Sequence, residues 1–193
     1  MRRTVQLLAG IAILGGCRGE QIPTEATARA GSQAAASQSF GANVNKDLAA
    51  LRRATARFQQ FEAATAAGWS AKITPCMTGS DPNQTAGGMG FHYGNQALID
   101  GTASVEKPQL LLYEPEKNGR LRLVAVEYII PYSLHPSDAT APVLFEREFK
   151  HVDAFGVWGL HAWVWKDNAN GMFANWNPAV NCANTTDVLS MSH

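Results

Sequence analysis

The sequence predicts an α+β domain: a mainly antiparallel β-sheet carrying one N-terminal amphipathic helix and stapled by a disulfide. Three observations carry that expectation. Apolar side chains recur with helical period from Asp47 to Ala67, an Asn118-Gly119 pair separates two β-rich runs, and Cys76 and Cys182 remain once a third cysteine is assigned to the N-terminal segment. The chain has 193 residues, 46% of them apolar and 17% charged, which suits one folded domain. Sixteen basic residues balance sixteen acidic ones with no basic run, so nucleic acid is not an expected partner.

Residues 1–16 read as a lipoprotein signal peptide. Arg2 and Arg3 precede an apolar stretch, Val5 to Leu14, long enough for export but short of the roughly 20 residues that cross a bilayer. The segment Leu14-Gly15-Gly16-Cys17 resembles the lipobox of bacterial lipoproteins, which makes Cys17 the expected lipidation site and a membrane the expected partner. The alternative is a plain secretory signal with an incidental cysteine. Residues 17–44 are rich in Ala, Ser, Gln and Gly and poor in large apolar side chains, so they read as a flexible tether to a domain at 45–193. Export puts Cys76 and Cys182 where disulfides persist, and no CxxC or Cys/His spacing assigns them to zinc, so they are expected to pair.

In the domain, Leu48, Leu51, Thr55, Phe58, Glu62 and Ala66 share a helical face, with Asn45 placed to cap the start and Gly68 to end it. A strand is expected from Met89 to Tyr93. The hairpin between Pro108 and Pro131 follows from Asn118-Gly119, since both central residues of a type I′ turn need positive φ. Setting Lys117 opposite Arg120 pairs Leu110 with Glu127, Leu112 with Ala125 and Glu114 with Leu123. One face then carries Leu110, Leu112, Leu123, Ala125, Glu127 and Ile129, with a carboxylate inside an apolar stripe. A third strand, Phe155 to Trp165, alternates Val157, Gly159, His161, Trp163 and Trp165 against Trp158, Leu160, Ala162 and Val164. The Asn- and Gly-rich stretch from Asp167 to Thr186 is expected to be an ordered loop pinned by Trp176 and Cys182.

Standard catalytic signatures are absent: there is no GxSxG, P-loop, dinucleotide fingerprint or HExxH, and the SxxK match at Ser104 to Lys107 lacks its companions. What stands out is His92, Glu127 and His161, each within an apolar strand. A buried carboxylate needs a cation, a donor or a metal, and two imidazoles with one carboxylate suit a divalent transition metal with open positions. The alternative is a satisfied polar network in a non-catalytic structural or interaction domain of the cell envelope. Met77, Met89, Met172 and Met191, near Cys76, His92 and His193, raise a soft-ligand copper site as a second possibility. Aromatic residues, Tyr93, Tyr128 and Trp163 foremost, with Trp158, Trp165 and Trp176, are candidates to line a cavity for a small-molecule ligand. His135 and His151 lie in loop-like surroundings and are set aside.

The segments GMGFHY (Gly88 to Tyr93), KPQLLLYEP (Lys107 to Pro115), LVAVEYIIP (Leu123 to Pro131) and FGVWGLHAWVW (Phe155 to Trp165), the last followed by GMF and by NWNP (Asn175 to Pro178), resemble an uncharacterised family of exported bacterial proteins and lipoproteins. The resemblance covers roughly the C-terminal two thirds of the chain and implies an exported domain with His92, Glu127 and His161 inside its motifs. It implies no activity. The chain departs from it at Asn168-Ala169-Asn170-Gly171, where an Asn-Pro turn would be expected.

Overall fold

Val44, Leu48, Leu51, Thr55 and Phe58 follow one another at helical spacing, and in the computed structural model, which describes residues 39–192, all five are buried. They belong to helix α1 (Ala42–Thr55) and the 3₁₀ turn that continues it (Ala56–Gln59). The expected single helix is divided here. Thr55 Oγ1 donates to the Leu51 carbonyl at 2.8 Å, a back-bond that bends helices, the next turn tightens, and Gln60 is extended before α2 (Phe61–Ala66) begins. Glu62 and Ala66 are consequently exposed while Ala64 is buried. Gly68, at φ +107°, ends the segment as expected.

The N-terminal boundary also differs. Gly41 precedes the first turn, Asn45 donates to the Phe40 carbonyl instead of capping, and Phe40 packs edge-on to Phe173 at 5.5 Å. Residues 40–44, assigned to the tether from sequence, therefore belong to the domain. The signal peptide, Cys17 and His193 lie outside the described residues. Among those described, no helix is long and apolar enough to cross a membrane.

The strands are β1 (Ala71–Asp81), β2 (Gln84–Gly94), β3 (Leu110–Pro115), β4 (Leu121–Pro131), β5 (Val143–Leu144), β6 (Arg147–Glu148), β7 (Lys150–Val152), β8 (Val157–Ala162) and β9 (Val188–Ser192). Seven form one sheet in the order β7-β8-β4-β3-β2-β1-β9, antiparallel throughout except where β9 runs parallel to β1; β5 and β6 make a separate small hairpin. The fold is thus the α+β arrangement the sequence predicts. Cys76 of β1 and Cys182 form a disulfide with Cα atoms 5.8 Å apart.

The sheet has two differently covered faces. Against one lie α1, its 3₁₀ extension and α2, so Leu48, Leu51 and Phe58 bury themselves on Leu111, Tyr113, Val126, Tyr128 and Leu160. Tyr113 and Trp69 donate to the carbonyls of Phe58 and Pro108 at 2.7 and 3.1 Å, satisfying their polar ends inside this core. Removing Leu51, which is fully buried, would cost about 2–5 kcal/mol as Leu51→Ala. The other face carries Met77, Met89, Leu110, Leu112, Val124 and Ala125, under Trp176 and Val180 of the loop that follows β8.

That loop sits close because β1 and β2 present glycines to it. A Cβ on Gly79 would stand 2.7 Å from the Trp176 ring, and one on Gly88 2.8 Å from the Val180 carbonyl. Gly88 and Asn177 exchange both backbone hydrogen bonds at 3.1 Å. Asn168 and Asn170 hold the Trp176 carbonyl at 3.0 Å each, and Asn177 Nδ2 donates to Asp167.

The β3–β4 hairpin follows the expected register at one end only. Leu110 pairs with Glu127 and Leu112 with Ala125, but Glu114 pairs with Arg122 rather than Leu123. The turn is not the two-residue type I′ turn expected. Only Gly119 has positive φ, and Glu116 and Arg120 close a three-residue loop, Lys117 to Gly119, with Glu116 N donating to Arg120 O at 2.8 Å. An irregularity between Leu112 and Tyr113 on β3, opposite Val124, absorbs the offset and turns Leu123 onto the helix-covered face.

Candidate metal centre

The register of three strands brings His92, Glu127 and His161 to the face that the helices leave uncovered. Glu127 of β4 lies directly opposite His161 of β8, while His92 of β2 is paired with Leu112 on the intervening β3. The stagger across β3 lets His92 reach over it. Its Nε2 stands 3.5 Å from Glu127 Oε2, and His161 Nε2 stands 3.9 Å from Glu127 Oε1. One donor atom from each of the three residues lies within 4.8 Å of the other two, and all three side chains are buried. Gly159 leaves the space that Glu127 occupies: a Cβ there would sit 3.1 Å from Oε1.

Burial governs the electrostatics. Loss of water lowers the His92 imidazole to about 4, a contact with the Gly90 backbone opposing the shift. It lowers His161 to about 3, with smaller contributions from His92 and Lys150, and raises Glu127 to about 8. Near neutral pH the metal-free cluster therefore consists of two neutral imidazoles and a protonated carboxyl group. Thr74 Oγ1 lies 2.9 Å from His92 Nδ1, so the hydroxyl holds one ring nitrogen and leaves Nε2 facing Glu127. His161 stacks near-parallel on Trp163 at 6.2 Å between centroids, and its buried Nε2 has no hydrogen-bond partner among the described residues.

These features fit a metal ion. Nitrogen and oxygen ligands at roughly 2.1 Å from a tetrahedral ion lie roughly 3.4 Å apart; the imidazoles stand 3.5 and 3.9 Å from the two carboxyl oxygens, and one donor atom from each residue lies within 4.8 Å of the others, so modest side-chain movement brings all three to one ion. Neither contact is short enough for a strong hydrogen bond between neutral groups. A divalent ion would accept the lone pair that His161 Nε2 now offers to nothing, while Thr74 would orient the second imidazole.

The cluster lines a cavity of about 640 Å³ that also receives Met77, Met89, Met191, Leu110, Ile129 and Trp176, with His151, Asp153 and the exposed Phe155 towards its edge. The aromatic lining expected of Tyr93, Tyr128 and Trp163 is corrected. Tyr93 and Tyr128 pack on the helix-covered face, where Tyr128 donates to the Val105 carbonyl at 2.6 Å. Trp163 belongs to the core beside His161 and donates to Ala174 at 2.7 Å. Trp165 does not continue the face of Trp163 either, because β8 ends at Ala162 and the indole turns to Thr55 Oγ1.

Of the four thioethers considered, Met172 packs against both cores, whereas Met77, Met89 and Met191 share the cavity with the imidazoles. Sequence reasoning missed Thr74, because Pro75 and Gly79 mask the strand that carries it. It also set aside His151, whose Nδ1 meets Tyr132 Oη at 3.0 Å near the cavity edge. No protein-family model, curated protein or solved structure matches the chain.

Proposed function

We propose that the chain is an exported, lipid-anchored domain in which His92, Glu127 and His161 bind a divalent transition metal whose remaining positions open onto the apolar cavity. The observation that carries the metal reading is the buried, unpartnered Nε2 of His161 beside a second imidazole and a carboxyl group. Two neutral imidazoles and one carboxylate leave coordination positions for water or a small molecule, and the metal would act there as a Lewis acid. In such a site Glu127 is a ligand only as its anion, so the ion displaces the carboxyl proton.

Elemental analysis of chain purified without a His tag, beside a His161→Ala variant, tests this. Stoichiometric metal that the variant loses is the expected result. No metal in either protein, even after incubation with zinc, iron and copper, would return the three residues to a structural network in an envelope domain. Anchoring is supported by Leu14-Gly15-Gly16-Cys17 behind its apolar run, and export by the Cys76–Cys182 disulfide, which suits an oxidising compartment. Labelled palmitate should enter the wild-type chain in cells and be absent from Cys17→Ser; equal labelling would remove the lipid from the proposal.

A further inference from the structure

Five tryptophans are present, and four of them place the indole N–H on an acceptor: Trp69 on Pro108 O, Trp158 on His135 O, Trp163 on Ala174 O and Trp165 on Thr55 Oγ1. Trp176 is the exception. It is 2% exposed, and its Nε1 has no partner among the described residues. A buried indole N–H ordinarily finds an acceptor, because leaving it dry and unpaired costs about 1–3 kcal/mol. The chain nevertheless holds this residue firmly: Gln84 accepts from its backbone N–H at 3.1 Å, two asparagines donate to its carbonyl, and Gly79 makes room for its ring. Trp176 lines the same cavity as His92, Glu127 and His161. The two residues that carry unpaired buried nitrogens, His161 at Nε2 and Trp176 at Nε1, thus line one cavity.

We infer that the cavity binds a small apolar monocarboxylate, with one carboxylate oxygen on the metal, an oxygen accepting from Trp176 Nε1–H, and the hydrocarbon body among Met77, Met89, Ile129 and Leu110. This rests on the metal reading. A divalent ion held by two neutral imidazoles and the Glu127 carboxylate retains one net positive charge, which is costly to bury, and a monoanion cancels it. A dianion would overshoot, and a neutral ligand would leave the charge in place. The lining favours an apolar body, and the thioethers, being flexible and polarisable, adapt to its shape.

The full chain is loaded with zinc, its zinc content is measured, and it is titrated by calorimetry with decanoate, with decan-1-ol and with acetate. Decanoate is expected to bind at least about tenfold more tightly than either, since only it supplies both charge and apolar surface. Trp176→Phe keeps the zinc and the ring but loses about tenfold in decanoate affinity, with decan-1-ol unchanged. In the wild-type protein the Trp176 indole N–H resonance should move downfield on addition of decanoate, a readout that does not depend on the variant folding. Zinc-loaded protein that binds decanoate no better than decan-1-ol, or whose Trp176 resonance stays in place, overturns the carboxylate inference and leaves the metal site standing. A chain that takes up no zinc overturns the metal reading before any carboxylate is added.

Discussion

Glu127→Gln makes the electrostatics of the cluster measurable in metal-free protein. The Glu127 carboxyl group titrates at about 8 in the fold against 4.5 for the ordinary side chain, its proton held by burial. Between those values the folded state binds a proton that the unfolded state has lost, so Glu127 stabilises the fold fully below 4.5 and loses that contribution as pH rises through 8. The imidazoles have the opposite sign. Their folded values of about 4 and 3 lie below the ordinary 6.5, so their contribution is complete above 6.5 and is lost as pH falls through the folded values. From 4.5 to 6.5 two groups gain while one loses, and stability rises with pH by about 1.4 kcal/mol per unit. Above 6.5 only Glu127 still changes. From 6.5 to 8 stability should therefore fall by roughly 2 kcal/mol, which for a domain of this size lowers the melting temperature by about 4–8 °C.

Thermal unfolding in chelator across pH 5–8.5 is the assay. Wild type should be most stable near pH 6.5, whereas Glu127→Gln, a neutral side chain of the same shape, should hold its stability from 6.5 to 8. An equal fall in both proteins, or a flat wild-type profile, would refute the assignment of a buried protonated carboxyl group. Metal should reverse the trend, because the ion needs the carboxylate. Calorimetric titration at pH 7 in buffers of different ionisation enthalpy should report about one proton released per ion bound.

Thr74→Val keeps the shape of the side chain and removes the oxygen held against His92 Nδ1, so metal affinity should fall by about 10–100-fold, read by a competition titration with a chromophoric chelator, and the metal-free protein should lose about 1–3 kcal/mol because the buried Nδ1 is left unpaired. Cys76→Ser with Cys182→Ser opens a crosslink between residues 106 apart, and the chain-entropy model puts the loss at about 4–5 kcal/mol, measured by urea unfolding against oxidised wild type. Tyr113→Phe strands the Phe58 carbonyl on the opposite face of the sheet and should cost about 1–2 kcal/mol while leaving metal content unchanged, separating damage to the fold from damage to the site.

The alternation of strands made much of the site legible, and two offsetting features of the hairpin show why. Reading Asn118-Gly119 as a two-residue turn implies a pairing one residue away from the real one near the turn. The irregularity opposite Val124 shifts the ladder back, so Leu110 does meet Glu127 as expected. Alternation fixes side-chain faces more reliably than turn chemistry fixes loop length, because burial of one face penalises any one-residue slip that is not repaired. The same rule exposes what went wrong with the aromatic residues. Tyr128 and Tyr93 directly follow Glu127 and His92, so in regular strands they must face the other way, and they do. Strands β1 and β9 were not legible: one carries Pro75 and Gly79, and the other, only five residues long, pairs in parallel with β1. With them Thr74 was lost from view. The approach of His92 to Glu127 over an intervening strand is set by stagger and twist, which no local pattern records.

Contact distances separate the metal reading from a self-sufficient polar network. Near pH 7 the neutral Glu127 carboxyl group has one proton to donate and faces two imidazoles, at 3.5 and 3.9 Å. With both imidazoles protonated on Nδ1, closing on His92 leaves His161 Nε2 dry and unpaired, and turning to His161 leaves His92 Nε2 in the same condition, because Thr74 reaches only Nδ1. If the tautomers are exchanged so that both Nε2 atoms carry hydrogen, both can donate only to a carboxylate, whose charge the apolar surroundings oppose. A mixed arrangement, the carboxyl O–H donating to one imidazole while its carbonyl oxygen accepts from Nε2–H of the other, pairs all three groups without charge, but at 3.5 and 3.9 Å neither contact is closed. A divalent cation would accept all three lone pairs at once, stabilise Glu127 as its anion and tie together β2, β4 and β8 from the side of the sheet opposite the described helices. Its binding would then add to the stability of the fold by mass action, so the melting temperature of wild type should rise with metal concentration while that of His161→Ala stays constant.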